Sequence, residues 1–267
     1  MEFYFLHPTE FETLYNCSYK TDQEWYDLYK PSLLFGLGDL LLGVIFLFPY
    51  MLCLTVMVQS NLTKSSAYKL MFFVGVFDCA CLILNAVVTG FYAIVGDVPC
   101  PHITSKYFLS YTGCCAWLCQ SLGGVFLALN RLLDLWQPPV VGSVFEGHRA
   151  YWWMGFAVFY AFLYFVFGQG HFVNSHAYSW LSDPYYDISG LEFIDREQYR
   201  GKWFITHNLS VAALILLIYG AFLICLWSTA RDGNRHINRL STVITIQTFL
   251  ISSLVFITAF LYGIMQL

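Results

Sequence analysis

Six stretches of the chain stay apolar for about the 20 residues that a helix needs to cross hydrocarbon. They are Leu33 to Val58, Ala67 to Val95, Thr104 to Leu133, Tyr151 to Val173, Trp203 to Ser228 and Thr242 to Leu267. A β-barrel would instead require short segments of strict alternation, whereas Leu214 to Tyr219 is continuously apolar. Open sheets are excluded as well, because lipid offers unpaired backbone groups no partner. The pattern predicts an all-α membrane protein, a polytopic helical bundle over 33–267 behind an N-terminal tail of residues 1–32.

The few polar positions inside these stretches fall on single helical faces. In span two, Gly75, Asp78, Asn85 and Thr89 recur at helical spacing, and that face must look into the bundle. A carboxyl at mid-membrane costs about 2.5 to 3.5 kcal/mol on insertion scales. Asp78, Asn85 and Gln120 are read as an intramembrane polar network, with simple bonding between neighbouring helices as the alternative. Span three aligns Gly113, Trp117, Gln120, Gly124, Ala128 and Arg131, and its small residues admit close neighbours, so it is expected to be the central helix. Its end carries Asn130, Arg131 and Asp134, followed by Pro138 and Pro139. Arg131 is either a snorkelling anchor or a cation that swaps partners between two arrangements of the bundle. Span six places Ser241, Thr245, Thr248, Ser252, Ala259 and Gly263 on one face, which calls for a partner helix that no later span supplies. Asp39 in span one fits cavity lining and helix packing equally.

Composition agrees with lipid as the solvent. Only 11% of the 267 residues are charged and 58% are hydrophobic, against roughly 25% charged in a soluble domain. A net charge of −4 gives nucleic acid no basic surface. Aromatic residues at 19% suit lipid-facing walls, interfacial belts or a ring-lined cavity.

Orientation follows from the loops. Lys64, Lys69, Arg131, Arg149, Arg231, Arg235 and Arg239 lie on one side; Lys20, Lys30, Lys106, Arg196, Arg200 and Lys202 lie on the other. The second set sits mostly in the tail and the long stretch 174–202, which count least in the positive-inside rule. The N-terminus is therefore expected outside. The tail has acids and no apolar core, so it is no cleaved signal, and span one must insert itself. Asn16-Cys17-Ser18 is a glycosylation sequon in that tail; Asn61 and Asn208 also match, in an inner loop and a span. Of the 9 cysteines, only Cys17 and Cys100 fall outside the spans, which makes their disulfide the natural pairing.

Several of these residues carry a resemblance. The runs Tyr15-Asn16-Cys17, Trp25, Tyr68 to Asp78, Thr89-Gly90-Phe91, Leu127 to Trp136 and Phe145-Glu146-Gly147 resemble the nematode serpentine receptor class T family. The resemblance implies a seven-span chemoreceptor of sensory-neuron membranes, distantly rhodopsin-like, signalling through a heterotrimeric G protein. It matches Arg131 to the arginine that rhodopsin-like receptors keep at the inner end of span three, and Asp78 to their span-two acid. Asn130 stands where an acid is usual, so no ionic restraint comes from the residue preceding Arg131. Leu267 falls at the end of span six, so the reading is six spans present, the seventh missing and the C-terminus outside.

The leading function is thus a ligand-gated switch: a small molecule enters from outside and binds among spans three, five and six, with Trp117, Gln120, His207 and Asn208 as cavity candidates. Asn130, Arg131 and Asp134 form the G-protein side. Alternatives are a nonsignalling six-span fragment or partner of full-length receptors in an oligomer, and a transporter or channel using Asp39 and Asp78, for which no inverted repeat is visible. His102, His171, His176 and Asp183 match no standard metal box, so neither an enzyme nor a cofactor is expected.

Overall fold

The computed structural model describes residues 1–100, 102–136, 144–231 and 239–265. Pro138, Pro139, Arg235, Gln266 and Leu267 lie outside the described residues, and so does the side chain of Ser241. Among the described residues, six helices are long and apolar enough to cross a membrane: Leu33–Gln59, Ser66–Val95, Ile103–Trp136, Arg149–Phe167, Lys202–Ser228 and Thr245–Met265. They form a helical bundle and are called spans one to six in chain order.

Span three is the hub. It packs against spans two, four, five and six, and 61% of its most apolar window is buried, against 6% for span one. Small residues set these distances. A methyl added at Gly123 would lie 2.7 Å from Val74 of span two, and one at Gly124 would meet Val255 of span six at 3.3 Å. Span one touches span two through glycine: a Cβ at Gly36 would fall 2.6 Å from the Gly90 carbonyl oxygen, and one at Gly43 3.0 Å from Ala86.

Three expectations change. Span four ends at Phe167, not Val173, because Gly168 turns extended and the chain enters the strand Phe172–Asn174 (β1), which pairs antiparallel with Ser179–Leu181 (β2). Span two is not one continuous α-helix; Ile83–Val88 is a π turn that adds a residue between its two halves. The small, polar face of span six does have partners within the chain. Thr248, Ser252 and Ala259 are buried where span six meets spans three and five, and Gly263 lies against Leu209.

The tail is folded. Helices Glu2–Leu6, Pro8–Leu14 and Asp22–Tyr26 pack with the 168–201 segment and the start of span three around an aromatic cluster that includes Phe11, Tyr15, Trp25, Tyr107, Phe172 and Tyr185. Thr21 and Glu24 close a reciprocal capping box on the third helix. Cys17 is disulfide-bonded to Cys100, with 5.7 Å between their Cα atoms. The phenols satisfy the backbone that the irregular tail leaves open: Tyr185 donates to Leu14 and Asn16 carbonyls at 3.2 and 3.0 Å, and Trp25 to that of Cys17 at 2.8 Å. Burial pushes the Tyr15 and Tyr185 phenols well above their ordinary range, which keeps them neutral donors. Tail and loop together make a cap over one end of the bundle.

Candidate functional site

Beneath the cap lies a cavity of about 680 Å³, walled by spans one, two, three and six and roofed by the hairpin and the start of span five. The β1–β2 pairing sets Trp180 opposite Val173 and turns its ring toward the bundle. The Trp180 indole donates to Thr89 Oγ1 of span two at 2.8 Å, and its carbonyl accepts from Tyr262 of span six at 2.6 Å. One loop residue thus ties two spans across the roof. Trp180 is not singled out by the sequence; its signal is that it is the sole Trp in the stretch 174–202.

His171 enters beside it, 2% exposed, with Nδ1 3.3 Å from Cys114 Sγ and its backbone N–H donating to Ser110 Oγ. Burial lowers its pKa to about 4, so the ring is neutral at neutral pH. His176 serves the cap, between Asp187 and the Leu28 carbonyl. Lys30 also reaches Asp187, and these two donors hold that carboxyl below the usual range.

On the deeper wall, the Tyr50 hydroxyl donates to Asp78, which also bonds Gln120. Asn85 lines the same cavity and donates back to Cys81 O at 3.0 Å. At the end of the π turn the Thr89 hydroxyl donates to Leu84 O, five residues back, at 3.1 Å. The structure brings Asp78, Asn85, Gln120 and Trp117 to one wall.

His207 and Asn208 do not line it. They stand behind span three, where Asn208 accepts from Trp117 Nε1 at 2.7 Å and His207 Nε2 lies 2.8 Å from Ser121 Oγ. The sequence offers them as cavity candidates, but span three stands between them and the cavity. Lys106, counted above among loop cations, is buried in an ion pair with Asp97 at 2.6 Å, joining the end of span two to the start of span three.

At the far end of span three the arginine does not snorkel. Arg131 is 6% exposed and held by its own helix: it donates to Asn130 Oδ1 at 2.6 Å and pairs with Asp134 one turn on. The Asn130 amide in turn reaches Ser66 Oγ at 3.5 Å, at the first turn of span two. A restraint does come from the preceding residue, as a hydrogen bond, with the ionic part supplied by Asp134.

In the cap, Asn16 Oδ1 accepts from Ser18 N and Oγ at 2.9 and 2.7 Å, leaving its amide nitrogen outside that turn. Among the described residues, no three His, Cys, Asp or Glu side chains gather in a metal-binding group.

The chain is similar to known proteins over its whole length. It is 26% identical over 263 residues to serpentine receptor class T-55 of Caenorhabditis elegans, an alignment covering 94% of this chain and 69% of that one. The family model described as "Serpentine type 7TM GPCR chemoreceptor Srt" matches residues 1–267. A multi-pass bundle hubbed on span three, a capped cavity at one end and a clamped arginine at the other therefore stand in a chain that belongs to the serpentine Srt chemoreceptor family.

Proposed function

We propose that this chain is a chemosensory receptor that binds a small molecule in the roofed cavity and reports its occupancy to a heterotrimeric G protein at the Arg131 end. The observation that carries this reading is that one helix serves both places. Trp117 and Gln120 of span three wall the cavity, and Arg131, eleven residues below Gln120, lies about 16 Å further along the same rod. A ligand that fits one placement of span three better than another shifts the population of the Arg131 clamp. Sensory-neuron membrane is the location that the family suggests.

The cap and the N-terminus face outside in this proposal, which gives Asn16 access to glycosylation and leaves the Arg131 end in the cytoplasm. Epitope tags in intact cells, with endoglycosidase treatment of the parent and Asn16→Gln chains, test the orientation; a tail tag reachable only after permeabilisation overturns it. Calcium or cAMP responses to a panel of volatiles test signalling, with Arg131→Ala as the control. Unchanged responses in that variant remove Arg131 from its role.

A further inference from the structure

Four ring donors on the cavity wall are already engaged. Trp180 donates to Thr89, Tyr50 to Asp78, Tyr262 to the Trp180 carbonyl and Trp117 to Asn208. Of the groups that remain, His171 Nε2 is buried without a partner and two are acceptors. Gln120 Oε1 is buried without a partner, and Asp39 lines the cavity with no hydrogen bond or ion pair among the described residues. Asp78, by contrast, is satisfied by Tyr50 and Gln120. Among the described residues no Lys or Arg lines this space, and its histidine, His171, is neutral at neutral pH.

A carboxylate facing an apolar cavity is strongly disfavoured unless a positive charge joins it. The guest that complements such a wall brings N–H donors and a cation; a carboxylate or phosphate guest would meet like charge. A hard metal ion is a poor match, because it needs about six oxygen ligands or more, whereas Asp39 has Leu42 and Phe46 along the same wall. Rings of Tyr50, Trp117, Phe204 and Tyr262 suit an apolar body and attract a nearby cation through their faces.

We infer that the ligand of this cavity is an organic cation, a protonated amine on an apolar body, whose ammonium pairs with Asp39. The inference rests on reading the cavity as the ligand site and names the class of molecule it takes. Asp39 stands six residues inside the start of span one, about 9 Å along the helix, so the charged end lies near the roof and the apolar body extends toward Asp78.

The test uses the full chain in nanodiscs at neutral pH, with phenylbutylamine, phenylbutanol and phenylbutyrate as probes that share one body and differ in the head. Native mass spectrometry and the thermal midpoint read binding. The amine is expected to bind saturably, about tenfold or more tighter than the alcohol, and the acid not at all. Asp39→Asn should reduce amine affinity about tenfold while leaving the alcohol unchanged. Equal binding of amine and alcohol, or an Asp39→Asn chain that holds the amine as tightly as the parent, overturns the inference. If the variant does not fold, the permanently charged phenylbutyl-trimethylammonium decides on the parent chain: it must outbind the alcohol. These readouts need no G protein, so a chain that ranks the probes as expected yet fails to signal refutes the receptor reading alone.

Discussion

The Thr89 hydroxyl accepts from Trp180 at 2.8 Å and donates to Leu84 O at 3.1 Å, so the roof of the cavity is fastened to the π turn of span two. Thr89→Val keeps the shape and removes both bonds. It removes the bond made by a half-buried indole N–H, at a cost of about 1 to 2 kcal/mol. Thermal unfolding in detergent is expected to fall by a few degrees, and hydrogen exchange at Ser179–Leu181 to rise. An unchanged exchange pattern would mean that the hairpin is held from elsewhere.

The Cys17–Cys100 bond closes a loop with a sequence separation of 83. Chain entropy assigns a loop of that size an upper value of about 4 to 5 kcal/mol. Cys17→Ser, Cys100→Ser and the double variant are therefore expected to lose similar stability and to reach the cell surface poorly. If the double variant matches the parent, the aromatic cluster alone holds the cap.

Arg131 is held by Asn130 and Asp134, the latter 46% exposed in its side chain. Exposure screens that pair, so Asp134→Asn should release about 1 kcal/mol or less. On the proposed function this corresponds to a two- to fivefold rise, roughly, in ligand-independent signalling. A basal signal that falls instead would identify Asp134 as part of the coupling surface.

His171 supplies a pH dependence. Its pKa is lowered from 6.5 to about 4 by burial, so the unfolded chain binds the proton more readily. The native state keeps its full stability above about pH 6.5 and loses it as pH falls toward 4, by about 3 kcal/mol in all. Melting midpoints between pH 7 and pH 4 should drop more steeply in the parent than in His171→Gln. Parallel curves would show that the ring titrates normally in the folded chain.

Much of the bundle is legible in the sequence because lipid enforces a simple rule: long apolar runs must be helices. The hub role of span three is legible too, since Gly113, Gly124 and Ala128 put small residues on one face. The polar wall at Asp78, Asn85, Trp117 and Gln120 follows from the same periodicity. His207 and Asn208 are not placed by the sequence, because a polar residue in a span does not say which neighbouring helix covers it. The π turn is invisible to a 3.6-residue pattern that it interrupts by one residue. The cap escapes for another reason. Its core of Tyr15, Trp25, Tyr107 and Tyr185 is drawn from segments far apart in the chain, with no repeat to link them. The roofing role of Trp180 depends on a three-residue strand pairing, and span four stops where Gly168, Gln169, Gly170 and His171 interrupt the apolar run.

The Gly36–Gly90 contact has a mechanical consequence. Where two helices meet backbone to backbone there is no side chain to change rotamer and no slack to absorb a shift. Spans one and two must then travel as a single stiff plank. Any tilt that opens or shuts the bundle has to be taken up on the other flank, where spans five and six meet through the branched and ring side chains of Val211, Ile215 and Tyr219, which can slide and re-seat.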